Sequence, residues 1–457
     1  MKRVKKHQRS MLEGPLLSGV VFYTIPIILT SVLQLLFNAA DLIVVGKFCG
    51  SVSVGAVGAT GSLTSLMVNL FVGLSIGAGV AVAHGIGSRD ETQVSNAVHT
   101  ALPLALCGGV ILTVVGVTLS GPMLVLMGTP ENTLPLSSIY MKIYFSGITF
   151  TVVYNFSAAI LRAAGDTKSP LVFLTLAGVI NVILNLIFVT LLHMNVAGVA
   201  LATAISQAVA AVLVVRALMK RTDACHLDLR KMRIDMYQLK KILRIGLPAG
   251  IQSSLFSISN VLIQSSINSF GDIFVSGNAA ATNLESFLYA TLNSFHQTTV
   301  NYVGQNVGAR QYRRANNTVW ICQSCVLVIG LTMSICLWSF GEALLGIYIS
   351  DSAEAISYGM IRFAYVTLPY VLLGLLDVST GALRGYGQSL LPMVISVLGI
   401  CGIRILWVCT VFQHPAFHTP QCLYMSYPIS WIVTLIVQTI FFLRIRNRYL
   451  RYDPIDV

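Results

Sequence analysis

The sequence predicts an all-α integral membrane protein with twelve transmembrane helices arranged in two six-helix lobes. Composition, the length of the apolar runs and an internal repeat predict this fold. Of the 457 residues, 55% are hydrophobic and only 10% are charged, whereas soluble proteins carry about 25% charged residues. This composition excludes a soluble globule, and disorder needs the opposite balance. Transmembrane β-barrels show short alternating segments, which the long unbroken runs here do not resemble.

Twelve apolar runs are long enough to cross a bilayer, which takes about 20 residues per helix. Their approximate centres are Val32, Met67, Leu112, Val152, Ile183, Ala208, Val261, Leu288, Ile329, Leu372, Val397 and Ile432. The first run follows a basic N-terminus but is too long for the apolar part of a signal peptide. We therefore interpret it as a retained first helix.

The cations alternate from loop to loop. Of the 29 Lys and Arg residues, 25 lie in the two termini and the even-numbered loops, and the odd-numbered loops hold only Lys47. The other three, Lys142, Arg362 and Arg404, lie within spans. Because cytoplasmic loops are enriched in Lys and Arg, both termini are predicted to lie in the cytoplasm. The net charge of +12 therefore reflects membrane topology, and we expect no nucleic-acid partner.

The two halves of the chain repeat each other at a constant spacing of 222 residues. The matched pairs are Pro26 with Pro248, Asn38 with Asn260, Arg162 with Arg384, and Pro170 with Pro392. A fixed register across separate regions indicates an internal duplication. Each copy holds six spans, so both copies have the same orientation and are predicted to be related by a pseudo-twofold axis along the membrane normal, around a central cavity.

The predicted domain organisation follows from this repeat. Residues 1–15 form a cytoplasmic tail, 16–219 an N-lobe with helices 1–6, 220–240 a basic cytoplasmic linker, 241–446 a C-lobe with helices 7–12, and 447–457 a second cytoplasmic tail. Apolar side chains alternate with cations from Thr222 to Arg244. This pattern predicts an amphipathic helix on the inner leaflet, although a plain basic linker fits it too.

Three acids lie deep in predicted spans: Asp41, Glu285 and Asp377. A charge at mid-bilayer costs roughly 2.5–3.5 kcal/mol on insertion scales. A buried carboxylate can exchange a proton near neutral pH, and it attracts a cation only when ionised. An ion and a substrate can then compete for one charge, as antiport requires. The alternative interpretation is a structural hydrogen bond between helices.

Polar neighbours of these acids complete two candidate sites. The N-lobe site for the coupling ion and substrate comprises Asp41, Asn38, Asn181, Asn185, Thr203, Gln34 and Pro26, whose missing N–H allows a bend in the first helix. The C-lobe cavity comprises Asp377, Glu285, Asn260, Gln252, Gln264 and Tyr289. We expect no catalytic residues, because Gly46-Lys47 is followed by Phe48 and so forms no phosphate-binding loop. Cys322-x-x-Cys325 has no second pair, so we expect no metal site apart from a possible Na⁺ ion at Asp41.

Four stretches resemble the multidrug and toxic compound extrusion (MATE) family of the bacterial type. They are Ile25-Pro26 through Asn38-x-x-Asp41, Gly246-Leu247-Pro248-Ala249-Gly250, Gly304-Gln305-Asn306-Val307-Gly308-Ala309, and Gly381-Ala382-Leu383-Arg384-Gly385-Tyr386-Gly387 with Pro392. The resemblance implies a V-shaped central cleft between the lobes. It also implies efflux of cationic amphipathic drugs and toxins in exchange for H⁺ or Na⁺ by alternating access.

The resemblance also assigns roles to individual residues. Asp41 matches the first-helix acid of the family's N-lobe ion site, and Asn181 and Thr203 match other members of that site. Asn185 stands where many relatives carry a second aspartate, which favours H⁺ over Na⁺. Asp377 matches a tenth-helix acid of relatives with a C-lobe ion site. The seventh-helix glutamate of that site is absent, because Phe256 and Ser257 occupy its region, and Glu285 is the candidate substitute.

Other functions stay open at this point. A flippase for a lipid-linked oligosaccharide or another lipid of the same superfamily should carry several cavity cations. A membrane-embedded transferase should show clustered acids or histidines at a bilayer face, and a channel would lack alternating access. For the antiporter, we expect a multi-pass monomer in the cell membrane, with small organic cations and the lipid bilayer as partners. We expect no cofactor other than the coupling ion.

Overall fold

A computed structural model describes residues 11–349 and 352–451, and every regular element in these residues is helical. The first half contains α1 (Leu16–Cys49), α2 (Ser51–Gly87), α3 (Glu91–Leu126), α4 (Leu134–Ser146), α5 (Ile148–Ala163), α6 (Lys168–Leu186) and α7 (Asn195–Met219). The second half contains α8 (Met236–Asn268), α9 (Asp272–Gly308), α10 (Tyr312–Ser339), α11 (Gly341–Tyr348), α12 (Ala353–Arg362), α13 (Val371–Gly385), α14 (Leu390–Ser396), α15 (Ile403–Cys409) and α16 (Pro420–Leu450). Short π turns extend α6 and join α12 to α13 and α14 to α15.

These helices confirm the all-α membrane fold. Within the described residues, nine helical segments are long and apolar enough to cross a bilayer, and α4 with α5 makes a tenth that is bent by 46°. The helices α8 and α9 have 33 and 37 residues. They are long enough to span a bilayer but more polar than the others. Each of the twelve predicted span centres lies in one of these segments, in the predicted order.

The chain divides into two compact units, and the divisions fall beside two prolines of the repeat. One unit is Ile25–Gly250, and the other contains residues 11–24 together with 251–451. The divisions therefore fall close to Pro26 inside α1 and Pro248 inside α8. The predicted lobe limits, 16–219 and 241–446, stay a prediction. Both α1 and α8 contribute residues to each of the two compact units. The predicted tails lie mostly outside the described residues, although α16 continues to Leu450.

Residues 11–24 are held by the second unit through side chains of α9 and α10. Arg314 donates to the carbonyl oxygens of Met11, at 3.2 Å, and Glu13, at 2.9 Å. Further along, the hydroxyls of Thr24 and Thr298 lie 2.8 Å apart, and both residues are buried. The start of the first helix is therefore part of the core of the second unit.

The close approach of α2 to the first part of α8 depends on glycine. A Cβ atom added to Gly73 would lie 2.1 Å from the backbone nitrogen of Gly250. One added to Gly77 would lie 2.3 Å from the carbonyl oxygen of Ile242 and 2.7 Å from the nitrogen of Gly246. The G-x-x-x-G spacing predicts this kind of backbone contact between membrane helices, and the structure confirms it.

Replacing Gly73 with alanine is expected to destabilise the protein by roughly 1–3 kcal/mol, because the new methyl group meets backbone that must move. The midpoint of thermal unfolding in detergent measures the effect. Gly61→Ala is the matched control on the same helix, since its Cβ would meet nothing within 4 Å, and we expect it to be neutral or slightly stabilising. Equal losses for both variants would contradict the packing role of Gly73.

The expected amphipathic helix from Thr222 to Arg244 is wrong for its first part. Residues 222–235 are mostly irregular, with one 3₁₀ turn at Leu229–Lys231, and α8 begins only at Met236. Leu227 and Cys225 are buried in the core of the first unit, so they do not face a bilayer surface. Asp228 also accepts from the backbone N–H of Arg230, a local bond that competes with helix.

The linker is attached to α3 by a histidine and a threonine. The Nε2 atom of His99 accepts from the backbone N–H of Asp228 at 3.1 Å, and its Nδ1 atom donates to the Ser95 carbonyl oxygen at 2.7 Å. Thr100 accepts from the backbone N–H of Asp235 at 3.0 Å. The linker is therefore fixed to the first unit in the middle and at the end of its irregular stretch.

The duplication is visible in the backbone as well as in the sequence. Residues with positive φ occur in equivalent loops of both halves: Arg89 with Arg310 at 56° and 58°, Gly165 with Gly387 at 87° and 80°, and Gly50 with Gly271 at 85° and 92°. Positive φ is uncommon for a residue other than glycine. Its recurrence at the two arginines indicates that both halves keep the same turn geometry.

Candidate functional site

The N-lobe candidate residues are joined by a chain of hydrogen bonds that ends on Asp41. The side-chain amide of Asn185 donates both to a carboxylate oxygen of Asp41 and, at 3.3 Å, to the amide oxygen of Asn181. Asn181 donates in turn to the hydroxyl of Thr203 at 3.3 Å. The two asparagines are four residues apart, which places them on one face of α6. Four residues that the sequence analysis grouped therefore form one network of α1, α6 and α7.

Asn185 has a second feature, an unused acceptor. Its residue exposure is 0%, and its amide oxygen Oδ1 has no hydrogen-bond partner in the described structure. A buried polar atom without a partner is costly. The network beside Asp41 can therefore accept one further donor, such as a proton carried between the carboxylate and the amide.

The other N-lobe candidate residues lie outside this hydrogen-bond network. Gln34 and Asn38 are exposed on α1, and the structure gives neither a hydrogen bond to Asp41. Pro26 is buried, and its carbonyl oxygen accepts from Thr30 at 2.7 Å. Tyr140, which no sequence pattern indicated, packs against a valine cluster that includes Val44 and Val45, one turn after Asp41 in α1. Its ring also stacks on that of Tyr144, with ring centres 6.1 Å apart.

In the second unit, Glu285 is already neutralised by a buried arginine. Arg362 donates to the Glu285 carboxylate through Nε, at 3.1 Å, and through a terminal nitrogen, at 2.7 Å. Thr367 donates to the same carboxylate at 2.6 Å, and Asn278 accepts from Arg362 at 2.8 Å. Both charged side chains are almost fully buried. Charge-assisted bonds of this forked form are strong, so Glu285 is not available as a free negative charge.

Asp377 belongs to a separate cluster with Arg384, which lies two turns further along α13. The two charges interact electrostatically. Arg384 donates to Gln252 at 2.8 Å and to the Nε2 atom of His296 at 3.2 Å. The Nδ1 atom of His296 bonds the backbone oxygen of Asp377 at 2.7 Å. Since Nδ1 must donate to a carbonyl and Nε2 must accept from an arginine, His296 is held as the neutral tautomer.

The remaining C-lobe candidates do not join the two acids. Gln264 donates to Asn268 one turn further along α8, at 2.9 Å, and Asn260 is exposed. Tyr289 is also exposed and accepts a long contact of 3.5 Å from Asn293. The C-lobe candidates therefore do not form one site. Glu285 is in an ion pair, Asp377 is a half-buried acid in a separate cluster, and three other polar side chains are exposed.

No role was predicted from the sequence for the arginines that lie within the spans. Arg362 pairs with a residue 77 positions away, and no local spacing predicts such a partner. Arg404 donates from Nε to Ser430 at 3.1 Å and lies over the ring of Tyr427. The sequence did offer one signal for both arginines, because a charged residue in a membrane span is rare and usually has a partner or a function.

Within residues 11–349 and 352–451, no cluster of three or more His, Cys, Asp or Glu side chains is placed to hold a metal ion. The nine cysteines of the described residues are free thiols.

A helical fold of many membrane spans, built from two repeated halves with polar networks buried among the spans, is typical of a multi-pass membrane transporter. The MatE family model matches residues 26–187 and again residues 248–409, so the second match begins and ends 222 residues after the first. The chain belongs to the MatE family. The two matches confirm the internal repeat and its register, and members of this family are transporters, not enzymes.

Curated relatives and solved structures agree with this assignment. The chain is 27% identical over 392 residues to a probable multidrug resistance protein, YpnP, of Bacillus subtilis, covering 86% of this chain and 87% of the relative. It is 25% identical over 412 residues to an FAD transporter of Shewanella oneidensis, with 88% of each chain covered. A MOP superfamily transporter from Pyrococcus furiosus shares its fold, with a TM-score of 0.91, 21% identity and 98% and 99% coverage.

Proposed function

We propose that this protein is a secondary active efflux antiporter that exports cationic amphipathic drugs and toxins in exchange for H⁺. The observation that carries the proposal is the Asp41 network, in which one half-buried carboxylate is held by Asn185 and no cation of the described residues lies within ion-pair distance. An ionised Asp41 attracts an organic cation, and protonation removes that attraction. Proton binding and substrate binding at one carboxylate are then mutually exclusive.

The coupling ion is more consistent with H⁺ than with Na⁺. The amide nitrogen of Asn185 faces the carboxylate of Asp41, whereas hard cations require oxygen ligands. Thr203 and the Asn181 oxygen are already used as acceptors within the network. A proton needs one carboxylate and no ligand shell, and the site offers that.

Alternating access is proposed to use the prolines at the unit boundaries. The division between the units falls between Thr24 and Ile25 and again between Gly250 and Ile251. Proline removes one backbone hydrogen bond from a helix and permits bending. Bending of α1 at Pro26 would displace the segment that carries Asp41, and so would couple protonation to conformation.

Substrate class and topology complete the proposal. The multidrug resistance name of the Bacillus relative supports drug efflux for this chain. The alternation of Lys and Arg among loops supports cytoplasmic termini in the cell membrane. The chain is proposed to work as a monomer, with no cofactor apart from the coupling ion.

A flippase for a lipid-linked oligosaccharide is the alternative function. Such a protein needs free cations in its cavity for the diphosphate. Arg362 is bound to Glu285, which leaves fewer free cations than the sequence alone suggested. The ion pair therefore favours the antiporter.

Transport in proteoliposomes tests the proposal. We expect an imposed pH gradient to drive the accumulation of an ethidium-like cation by exchange for protons. An equal Na⁺ gradient should drive little transport. Equal flux with and without any gradient would indicate a channel and contradict antiport. Transport of a lipid-linked sugar, with no movement of the cation, would establish the flippase instead.

Replacing Asn185 with aspartate is expected to make transport responsive to Na⁺. Two carboxylates would then face each other, and a bound cation or proton would be needed to offset their repulsion. The measurement is the same uptake assay with a Na⁺ gradient at constant pH. Asn132→Asp is a suitable control, because this side chain is exposed in the turn before α4 and belongs to neither candidate site. A Na⁺ response of equal size in both variants would contradict a specific role for Asn185.

A further inference from the structure

The second unit contains more buried positive charge than its acids balance. Arg362, Arg384 and Arg404 are 6%, 4% and 5% exposed. Glu285 neutralises Arg362, and Asp377 acts on Arg384. In the described part of the chain, no carboxylate lies within 4.0 Å of the Arg404 guanidinium. Of these three buried arginines, Arg404 is therefore the one on which no acid acts.

The contacts of Arg404 leave most of its donors unused. Its Nε donates to Ser430 at 3.1 Å. Its guanidinium carbon lies 4.0 Å from the centre of the Tyr427 ring and 5.5 Å from that of Trp431. Aromatic faces attract a cation, but they accept none of its remaining N–H groups, and arginine has five such groups. The four other N–H groups have no acceptor among the described residues.

A second positive charge lies on the same aromatic cluster. The guanidinium carbon of Arg362 is 5.7 Å from the Tyr427 ring centre, so two cations share one ring. Like charges in a low-dielectric setting repel each other strongly. A nearby negative charge would relieve this repulsion, and Glu285 supplies only one.

Trp431 provides an independent indication of a missing acceptor. This residue is 1% exposed, and its indole Nε1 atom has no hydrogen-bond partner in the described structure. Buried tryptophan N–H groups usually find a partner. Tyr370 packs edge-to-face with Trp431, with ring centres 5.4 Å apart, so the walls of the cluster are aromatic.

The backbone next to Arg404 is also irregular. A π turn at Val397–Gly402 directly precedes α15, the helix that carries Arg404. Such turns within helices are frequent at functional sites. The π turn shifts the register of the following residues and so sets where the Arg404 side chain points.

We propose that Arg404 and Trp431 form a binding site for a single negative charge in the second unit. The charge is supplied either by a free monoanion such as chloride or by the carboxylate of a transported molecule. Both sources offer a hydrogen-bond acceptor to the guanidinium and to the indole N–H. This site is independent of the proposed proton-coupled export at Asp41, and its failure would leave that proposal unaffected.

Thermal unfolding of the purified full-length protein in detergent tests the site. The reference buffer contains methanesulfonate, which is neither a halide nor a carboxylate and which is replaced stepwise by chloride or by benzoate at constant ionic strength. We expect a saturable rise of the unfolding midpoint for the wild type with at least one of the two anions. A response to chloride alone identifies a free anion as the source, and a response to benzoate alone identifies a carboxylate.

Three variants make the result specific. Arg404→Gln is expected to abolish the anion response. Trp431→Phe keeps the ring but loses the N–H, so we expect the apparent Kd to rise roughly ten-fold or more. Lys231→Gln changes an exposed cation of the linker and is expected to keep the full response. If Arg404→Gln does not fold, Trp431→Phe decides the question.

The proposal is overturned by any of three results. The first is a wild-type midpoint that does not differ between methanesulfonate and both other anions. The second is an Arg404→Gln variant that keeps the wild-type response, and the third is an unchanged apparent Kd in Trp431→Phe. The first two results would mean that Arg404 is held by aromatic packing alone, and the third would mean that the indole N–H of Trp431 takes no part in a site shared with Arg404.

Discussion

Replacing Asp41 with asparagine is expected to reduce gradient-driven substrate accumulation roughly 10- to 100-fold, the range of a typical coupling free energy. Asparagine has nearly the same shape and can still accept a hydrogen bond from Asn185, so the fold should survive. It cannot ionise, however, and so it can neither bind a proton nor attract a cationic substrate. Uptake of an ethidium-like cation into proteoliposomes under an imposed pH gradient measures the loss.

Asp272→Asn is the control for this prediction, because it removes an exposed acid from the first turn of α9. It should transport at the wild-type rate. A wild-type rate in Asp41→Asn, together with a loss in Asp377→Asn, would move the coupling site to the second unit. Equal unfolding midpoints of both variants and the wild type would show that the loss is functional and not structural.

Replacing Arg362 with glutamine is expected to destabilise the protein by roughly 3–5 kcal/mol. The substitution leaves the Glu285 carboxylate buried without its cation, which is the most costly way to break a buried pair. Asn278 and Thr367 hold the pair from two sides, so little rearrangement is available. Unfolding midpoints in detergent measure the change.

The double variant Glu285→Leu with Arg362→Met separates charge from packing. Replacing both partners of a buried ion pair by apolar groups of similar volume is often neutral, so we expect it to recover much of the lost stability. Lys231→Gln breaks a 3.8 Å pair with Asp228 in which the lysine side chain is 76% exposed, and its effect should stay below about 1 kcal/mol. Equal losses in all three variants would contradict the special cost of the buried pair.

The first candidate site was largely predictable from the sequence. Asp41 stands out as an acid in an apolar helix, and the spacing of Asn181 and Asn185 places both amides on one face. The resemblance to the MATE family linked α1, α6 and α7, and the hydrogen bonds of the structure join the same side chains. Tyr140 was not predictable, because a tyrosine in a membrane helix carries no distinguishing pattern.

The second candidate site was less predictable because its chemistry depends on partners far apart in the chain. Glu285 looked like a free acid until Arg362, 77 residues away, was found on its carboxylate. The prediction of an amphipathic helix in the linker was wrong for a related reason. Alternation of apolar residues and cations is typical of a surface helix, but Leu227 instead enters the core of the first unit. Local periodicity cannot distinguish a bilayer from a protein interior as the apolar environment.

The sharing of α1 between the two units has a consequence for how the protein can be made. If the gene were cut within the linker, the upstream product would carry residues 11–24, which the downstream product needs for its own interior. The downstream product would retain residues 236–250, which belong to its neighbour's interior. We therefore expect that neither fragment folds alone, and that expression from two separate genes gives functional protein only when both fragments are made together.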